Sequence, residues 1–506
     1  MNTQQSLSGK CSCCSMSRRC FLASSAVGLS MPWAAMAQTT GVDDKNPGEP
    51  LDLASFRPKP AVRVMGALIR EKLGTIPTTQ KQGYWLGWPG TSYDLDNHRL
   101  EYEQSFIESA NRLGVELSFE STPLDDDATL AAFLNKVKTE KPDAVLVHMQ
   151  HLGSWGKAET VVKLGFPTIV FAPVGTAFTG QVNMFSRRPG VHVISSLETK
   201  AVEQALRMVR AKKQFEETRL LVVHGDKREE TVMEHLGTKV RRIPRDTFHE
   251  LFQKMPETEE AHDLAKLMRK GAQDIIEPSK QDTINAARSF VTAKRLLKME
   301  ESNAITTDCL GMVSSRAVPT PPCMAATLFQ DGGITYGCEA DIFGAMSLML
   351  TSYLLDKPSF MNDPVPETYK NALIVAHCSC GAKMNGFDQD NEPYVLRSHS
   401  ESNIGVSMQV IWKLGQPVTL VRFNNPKELI LDTGTVIGNV NTPPAGGCRT
   451  SVEIQMDRIE DCRDVLGFHQ AVFYGNHRRD IEAFCQLYGI NVVHSPRSHE
   501  ETAKPA

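Results

Sequence analysis

Asp143-Ala144-Val145-Leu146-Val147-His148 is a nearly continuous apolar run, and its reading decides the fold class. A strand wetted on one face alternates polar and apolar residues, whereas one that is apolar throughout is covered on both faces. Runs of the same kind recur at 62–68, 166–172, 191–195 and 220–224, with another short strand at 115–119. Between several of them lie stretches with apolar residues at helical spacing, such as 99–113 and a segment capped by Asp127 that runs to 137. Buried strands separated by helices predict an α/β protein with parallel sheets and helices on both faces. No G-x-G-x-x-G follows the first strand, which argues against a dinucleotide site. Gly225-Asp226 after the 220–224 strand either faces a cleft at the carboxyl ends of the strands or, as the simpler reading, forms a plain turn.

Further along, 226–300 is charged, rich in Met and helical in pattern. The character changes at 304, where Asp308-Cys309-Leu310-Gly311 and a proline cluster at 319–322 lead to Cys338-Glu339-Ala340-Asp341. Beyond 370, short strands at 419–423, 429–432 and 452–456 alternate with Gly, Pro and Asn turns, as in an antiparallel sheet or barrel-like domain. At 506 residues the chain is too long for one core. A net charge of −4 gives no basic footprint for nucleic acid. The longest apolar stretch, 342–355, is too short to span a bilayer.

The N-terminus has its own logic. Ser17-Arg18-Arg19-Cys20-Phe21-Leu22 opens an apolar stretch that ends at Ala35-Met36-Ala37, and no acidic residue precedes position 38. Arg pair, apolar run and small-residue cleavage site in that order predict a twin-arginine signal peptide over 1–37 and a periplasmic or otherwise extracytoplasmic protein. Residues 38–58 read as a flexible leader. Domains are then expected at 59–190 (α/β), 191–365 (α/β, carrying the acidic motif) and 366–497 (β-rich), with a tail at 498–506. Of 12 cysteines, four lie in the export segment and eight after residue 308. Those eight either pair or remain buried thiols. The spacings of Cys378 to Cys380 and of Cys323 to Cys338 match no structural zinc pattern.

Glu339 and Asp341 stand between a strand-like segment (334–338) and the 342–355 helix. Carboxylates at such a junction either ligate a hard divalent cation or cap the helix and complement its dipole. His399 and Glu401 in Arg397-Ser398-His399-Ser400-Glu401 would share one face of a strand. His469 precedes an apolar strand at 471–474, and His477 follows it in Gly475-Asn476-His477. Together they suggest a metal or acid–base cluster in the last third of the chain.

At these residues the sequence resembles the L-fucose/L-arabinose isomerase superfamily. Cys338-Glu339-Ala340-Asp341 with Gly344-Ala345, Ala376-His377-Cys378, Leu396-Arg397-Ser398-His399-Ser400-Glu401, Gly447-Cys448-Arg449-Thr450 and Phe468-His469-Gln470 carry the resemblance, over about 300–495. It implies two Rossmann-like parallel-sheet domains followed by a C-terminal antiparallel β-barrel-like domain, in a homo-oligomer. It also implies a divalent metal, usually Mn2+, and an aldose–ketose isomerisation through a cis-enediol. By that resemblance Asp341 and His469 are metal ligands, with Glu339 as the catalytic acid/base and a further ligand. Asp341 shares the catalytic role, and His399, Glu401, Arg449 and His477 contact a small-molecule sugar. The family's upstream glutamate falls near Cys323-Met324-Ala325, which has no carboxylate, so Glu339 or Asp308 would take its place. A non-catalytic carbohydrate-binding protein and a sugar epimerase are the rival expectations.

Overall fold

The computed structural model describes residues 49–72, 94–441 and 447–496, which leaves the expected signal peptide and the tail outside the described residues. The described part belongs to one compact unit. The apolar runs become β1 (Val62–Ile69), β2 (Val115–Phe119), β3 (Ala144–Met149), β4 (Thr168–Pro173) and β5 (Val191–Ser196). They form a parallel sheet in the order β2-β1-β3-β4-β5, and β3 is buried at every position. Asp126 caps the 127–140 helix in place of Asp127. Its carboxylate accepts from the Thr129 N–H at 3.0 Å and its own N–H donates to Thr129 Oγ1, a reciprocal box that puts Asp127 in the first turn.

A second sheet contains β6 (Arg219–Val223), β7 (Glu229–Val232) and β8 (Lys239–Ile243). After β9 (Asp274–Ile275), β10 (Ala304–Thr307) and β11 (Tyr336–Gly337) complete it in the order β11-β10-β6-β8-β7. All its pairs are parallel except β7–β8. That hairpin corrects the helical reading of 226–300. Glu229 and Glu230 stand directly across from Arg242 and Arg241, and ion pairs of 3.3 and 2.7 Å join them. Opposite charges in cross-strand register favour pairing at a sheet edge, where composition alone looked helical. Residues 49–58, expected within the leader, lie against the Lys280–Met299 helix: Arg295 donates to the Glu49 carbonyl at 2.9 Å and Lys294 to that of Leu51 at 2.7 Å.

The chain then builds β12 (Phe360–Glu367), β13 (Ala372–His377), β14 (Tyr394–Arg397), β15 (Ser407–Val410) and β16 (Pro417–Asn425). β17 (Glu428–Asn439), β18 (Thr450–Met456), β19 (Gln470–Tyr474) and β20 (Asn491–Val493) follow. Six of these close an antiparallel barrel, β16-β19-β12-β13-β18-β17, through β16–β17 pairing, while β20 adds in parallel outside β17. β15, β14 and β9 form a small separate sheet. Among the described residues no helix is long and apolar enough to cross a membrane.

His148, at the end of the stretch that decided the fold, is fully buried against Tyr102, Phe106 and Phe171. Burial, aided by the charge of Arg99, pushes its imidazole down to about 3. The unfolded chain therefore binds a proton between pH 6.5 and 3 that the folded chain does not. Its contribution is whole above pH 6.5 and is lost as pH falls toward 3, by up to about 5 kcal/mol. His148→Leu is expected to flatten the acid limb of a stability–pH curve; an unchanged limb would mean that His148 is not the group that loses stability there.

Candidate metal centre

The site lies where the carboxyl edge of the second sheet meets the barrel. After β11 the chain turns sharply, with the Ala340 N–H donating to the Thr307 carbonyl and the Asp341 N–H to that of Cys338. Glu339 and Ala340 both take left-handed backbone (φ 56° and 54°), which costs a non-glycine residue roughly 1–2 kcal/mol. The turn sends the Glu339 carboxylate toward two histidines, its Oε1 3.9 Å from His377 Nε2 and its Oε2 3.6 Å from His469 Nε2. His469 is itself left-handed (φ 54°), immediately before β19.

Asp363 completes the group from β12, its Oδ1 3.2 Å from His469 Nε2. Since β12 lies between β19 and β13, with Asn362 opposite Gln470 and Asp363 opposite Ala376, the three barrel residues come from adjacent strands. The Asn362 amide donates to the Gln470 carbonyl at 2.7 Å and ties the strand carrying Asp363 to the one that follows His469. Glu339, Asp363, His377 and His469 each offer one ligand atom, and these atoms all lie within 4.8 Å of one another. Two imidazole nitrogens and two carboxylate oxygens suit a divalent cation of borderline hardness. His469 Nε2 is buried and faces the carboxylate oxygens of Asp363 and Glu339. This cluster could hold a metal ion.

Behind it stand the groups that orient the ligands. Asp341 Oδ2 meets His469 Nδ1 at 2.8 Å and accepts from Arg422 Nη1 at 2.6 Å, while Oδ1 accepts from the Gly344 N–H and caps the Ile342–Leu355 helix. A Cβ at Gly344 would sit 3.0 Å from Arg422 Nη1 and 2.8 Å from Met361 Cε, so glycine keeps the path of the arginine open. Burial works to raise the Asp341 carboxyl, but hydrogen bonding with His469 and the charge of Arg422 hold it well below the usual carboxylate range. Burial likewise disfavours the His469 imidazolium, yet Asp341, Asp363 and Glu339 lift it to about 9. An Nδ1 proton shared with Asp341 leaves Nε2 aimed at the cluster. His377 Nδ1 is engaged by Ser379 Oγ at 3.2 Å.

Two of the residues expected from sequence, Glu339 and His469, are in the converging group; Asp341 is not, and backs His469 instead. Asp363 and His377 join it although sequence reading did not choose them. Asp341→Asn keeps the helix cap, since Asn also caps well, but loses the charge that fixes His469. It is expected to weaken divalent-metal binding 10- to 100-fold, read by titration; unchanged affinity would make Asp341 only a cap.

The remaining candidates are spread more widely. β14 ends at Arg397, so His399 and Glu401 lie in a turn and share no strand face; His399 is buried with Nδ1 on Ser402 Oγ at 2.9 Å, and Glu401 is exposed. Ser400 in that turn meets Cys378 Sγ at 3.5 Å, which sets the turn beside His377. Arg449 is buried and donates to the Ser398 carbonyl at 2.6 Å, holding the same turn in place. His477 stands beyond the far end of β19 from His469, roughly 17 Å away for a five-residue strand. It pairs there with Asp480 at 3.2 Å. The Cys323–Asp331 helix brings no carboxylate to the cluster, and all eight described cysteines are free.

No family model matches the chain. It is similar to sulfoquinovose isomerases. The protein of that name from Priestia aryabhattai is 24% identical over 365 residues, covering 65% of this chain and 78% of its own; that from Priestia megaterium matches equally. The one from Clostridium sp. (strain MSTE9) is 24% identical over 192 residues, 35% of this chain and 42% of its own length. Among solved structures, a XylFII molecule aligns over 55% of this chain and 97% of its own at 10% identity and a TM-score of 0.17, too low to carry an argument.

Proposed function

We propose that this chain is a metal-dependent aldose–ketose isomerase working through a cis-enediol, with manganese the first metal to try. The observation that carries the reading is the convergence of Glu339, Asp363, His377 and His469 within one coordination sphere. The similarity to proteins named sulfoquinovose isomerase supports it and points to a sulfonated six-carbon sugar as substrate class. A bound divalent ion would polarise the carbonyl and the adjacent hydroxyl of an open-chain sugar.

The chain's own residues supply the rest. Asp341 is locked between Arg422 and His469 and is not free to shuttle a proton. Glu339 is only partly buried and stands on a turn apart from the barrel wall. Its longer side chain can reach C2, take the proton there and return it to C1. Asp363 stands beside His469 as the second carboxylate of the pair. The Arg18-Arg19 pattern and the Ala35-Met36-Ala37 site support export by the twin-arginine route, and we place the enzyme outside the cytoplasm on that basis.

The test is incubation of the metal-loaded protein with sulfoquinovose in deuterated water, followed by NMR. Deuterium at C1 or C2 together with a ketose product is the expected result. Inversion at C2 without a ketose would make it an epimerase. Bound sugar that never exchanges would contradict the proposal and favour a binding protein.

A further inference from the structure

The edge of the second sheet carries a second cluster of charged side chains. Hydrogen bonding continues past the strand ends: Asp308 N–H to the Val223 carbonyl, His224 N–H to that of Ile243, and Arg245 N–H to that of Gly225, each 3.0–3.1 Å. Glu339, Asp308, His224 and Arg245 therefore follow the ends of consecutive strands β11, β10, β6 and β8. Ligands of open α/β sheets bind at this carboxyl edge. Arg245 reaches back across β6, and its Nη1 donates to Asp308 Oδ2 at 2.9 Å. This brings the guanidinium within about one strand spacing, ~4.8 Å, of the strand that bears Glu339. His224 Nδ1 lies 3.4 Å from the same oxygen.

The Asp308 carboxylate is met by the Arg245 guanidinium, by the His224 ring and by the Gly311 N–H. A Cβ at Gly311 would collide with Arg245 Nη1, so the absence of a side chain there lets the guanidinium lie over the helix start. Arg245 and His224 remain 34% and 46% exposed, open to a ligand on the same edge as the cluster. Asp308 and Glu339 follow neighbouring strands, so a sugar whose C1–C2 end sits at Glu339 would extend along this edge toward Arg245.

We propose that Arg245, with His224, forms the subsite for an anionic group, a sulfonate, on the terminal carbon of the sugar. The inference rests on the isomerase reading for the position of C1 and C2. A guanidinium presents paired donors that match the oxygens of such a group, and Asp308 fixes its direction. A subsite built for an anion binds poorly a sugar that lacks one.

Calorimetry on the metal-loaded protein, which needs no turnover, tests this with sulfoquinovose, glucose 6-phosphate and glucose. Wild type is expected to bind sulfoquinovose at least tenfold tighter than glucose, and Arg245→Gln to remove that preference. Arg245→Lys, which keeps the charge, should recover part of it and so separates lost binding from lost folding. Tighter binding of glucose 6-phosphate, lost in the same variant, would keep the subsite and overturn the sulfonate assignment. Equal affinity for sulfoquinovose and glucose in wild type, or a preference that survives in Arg245→Gln, would overturn the subsite. If the preference behaves as expected but no sugar exchanges deuterium, the isomerase reading fails and the subsite stands.

Discussion

Asp363→Asn is expected to lower divalent-metal affinity by on the order of a hundredfold or more while the barrel stays folded. The change keeps the side-chain volume and one oxygen but removes a charge from a group in which two carboxylates and two histidines converge. Asn362 and Gln470, which join β12 to β19, are untouched, so strand register should persist. The loss should exceed that of Asp341→Asn, which acts only through His469. Metal titration of the two variants side by side checks the order. Equal effects, or no effect at Asp363, would move that carboxylate out of the coordination group.

The second large effect is expected at Glu339. Glu339→Gln keeps an oxygen in reach of the metal and removes the proton acceptor. At saturating metal, deuterium exchange per bound ion should fall by about 10²- to 10⁴-fold. Gln preserves the length and the left-handed turn, so circular dichroism and melting should change little. Exchange near the wild-type rate would reassign the base to Asp363.

How far the sequence led can be judged from particular residues. The run ending in His148 identified a strand covered on both faces because covering both faces leaves no room for polar alternation, and β3 is indeed buried throughout. The 229–243 hairpin was hidden because its stability comes from Glu–Arg pairs across strands, which a helix can present in the same composition. Glu339 and His469 were legible from local company: a carboxylate at a strand end and a histidine before an apolar strand. Asp363 was not, because a lone carboxylate within β12 looks ordinary until the pairing of β12 with β19 sets it beside His469. Of the two carboxylates in the group, Glu339 was among the expected residues, and Asp363 stands where Asp341 was expected. His377 ends β13 one residue past the partner of Asp363, and only the convergence of the side-chain atoms shows that it faces the same point. Asp341 carried two signals at once, a helix cap and a ligand; the structure gives it the cap and the support of His469.

Manganese titration of the purified protein, followed by pulsed EPR with nitrogen-15 labelled histidine, tests directly whether the four residues hold one ion. One tightly held ion per chain is expected, with two histidine nitrogens in its coordination shell, one lost in His469→Ala and the other in His377→Ala. No bound ion, or an ion whose spectrum is indifferent to both variants, would contradict that expectation.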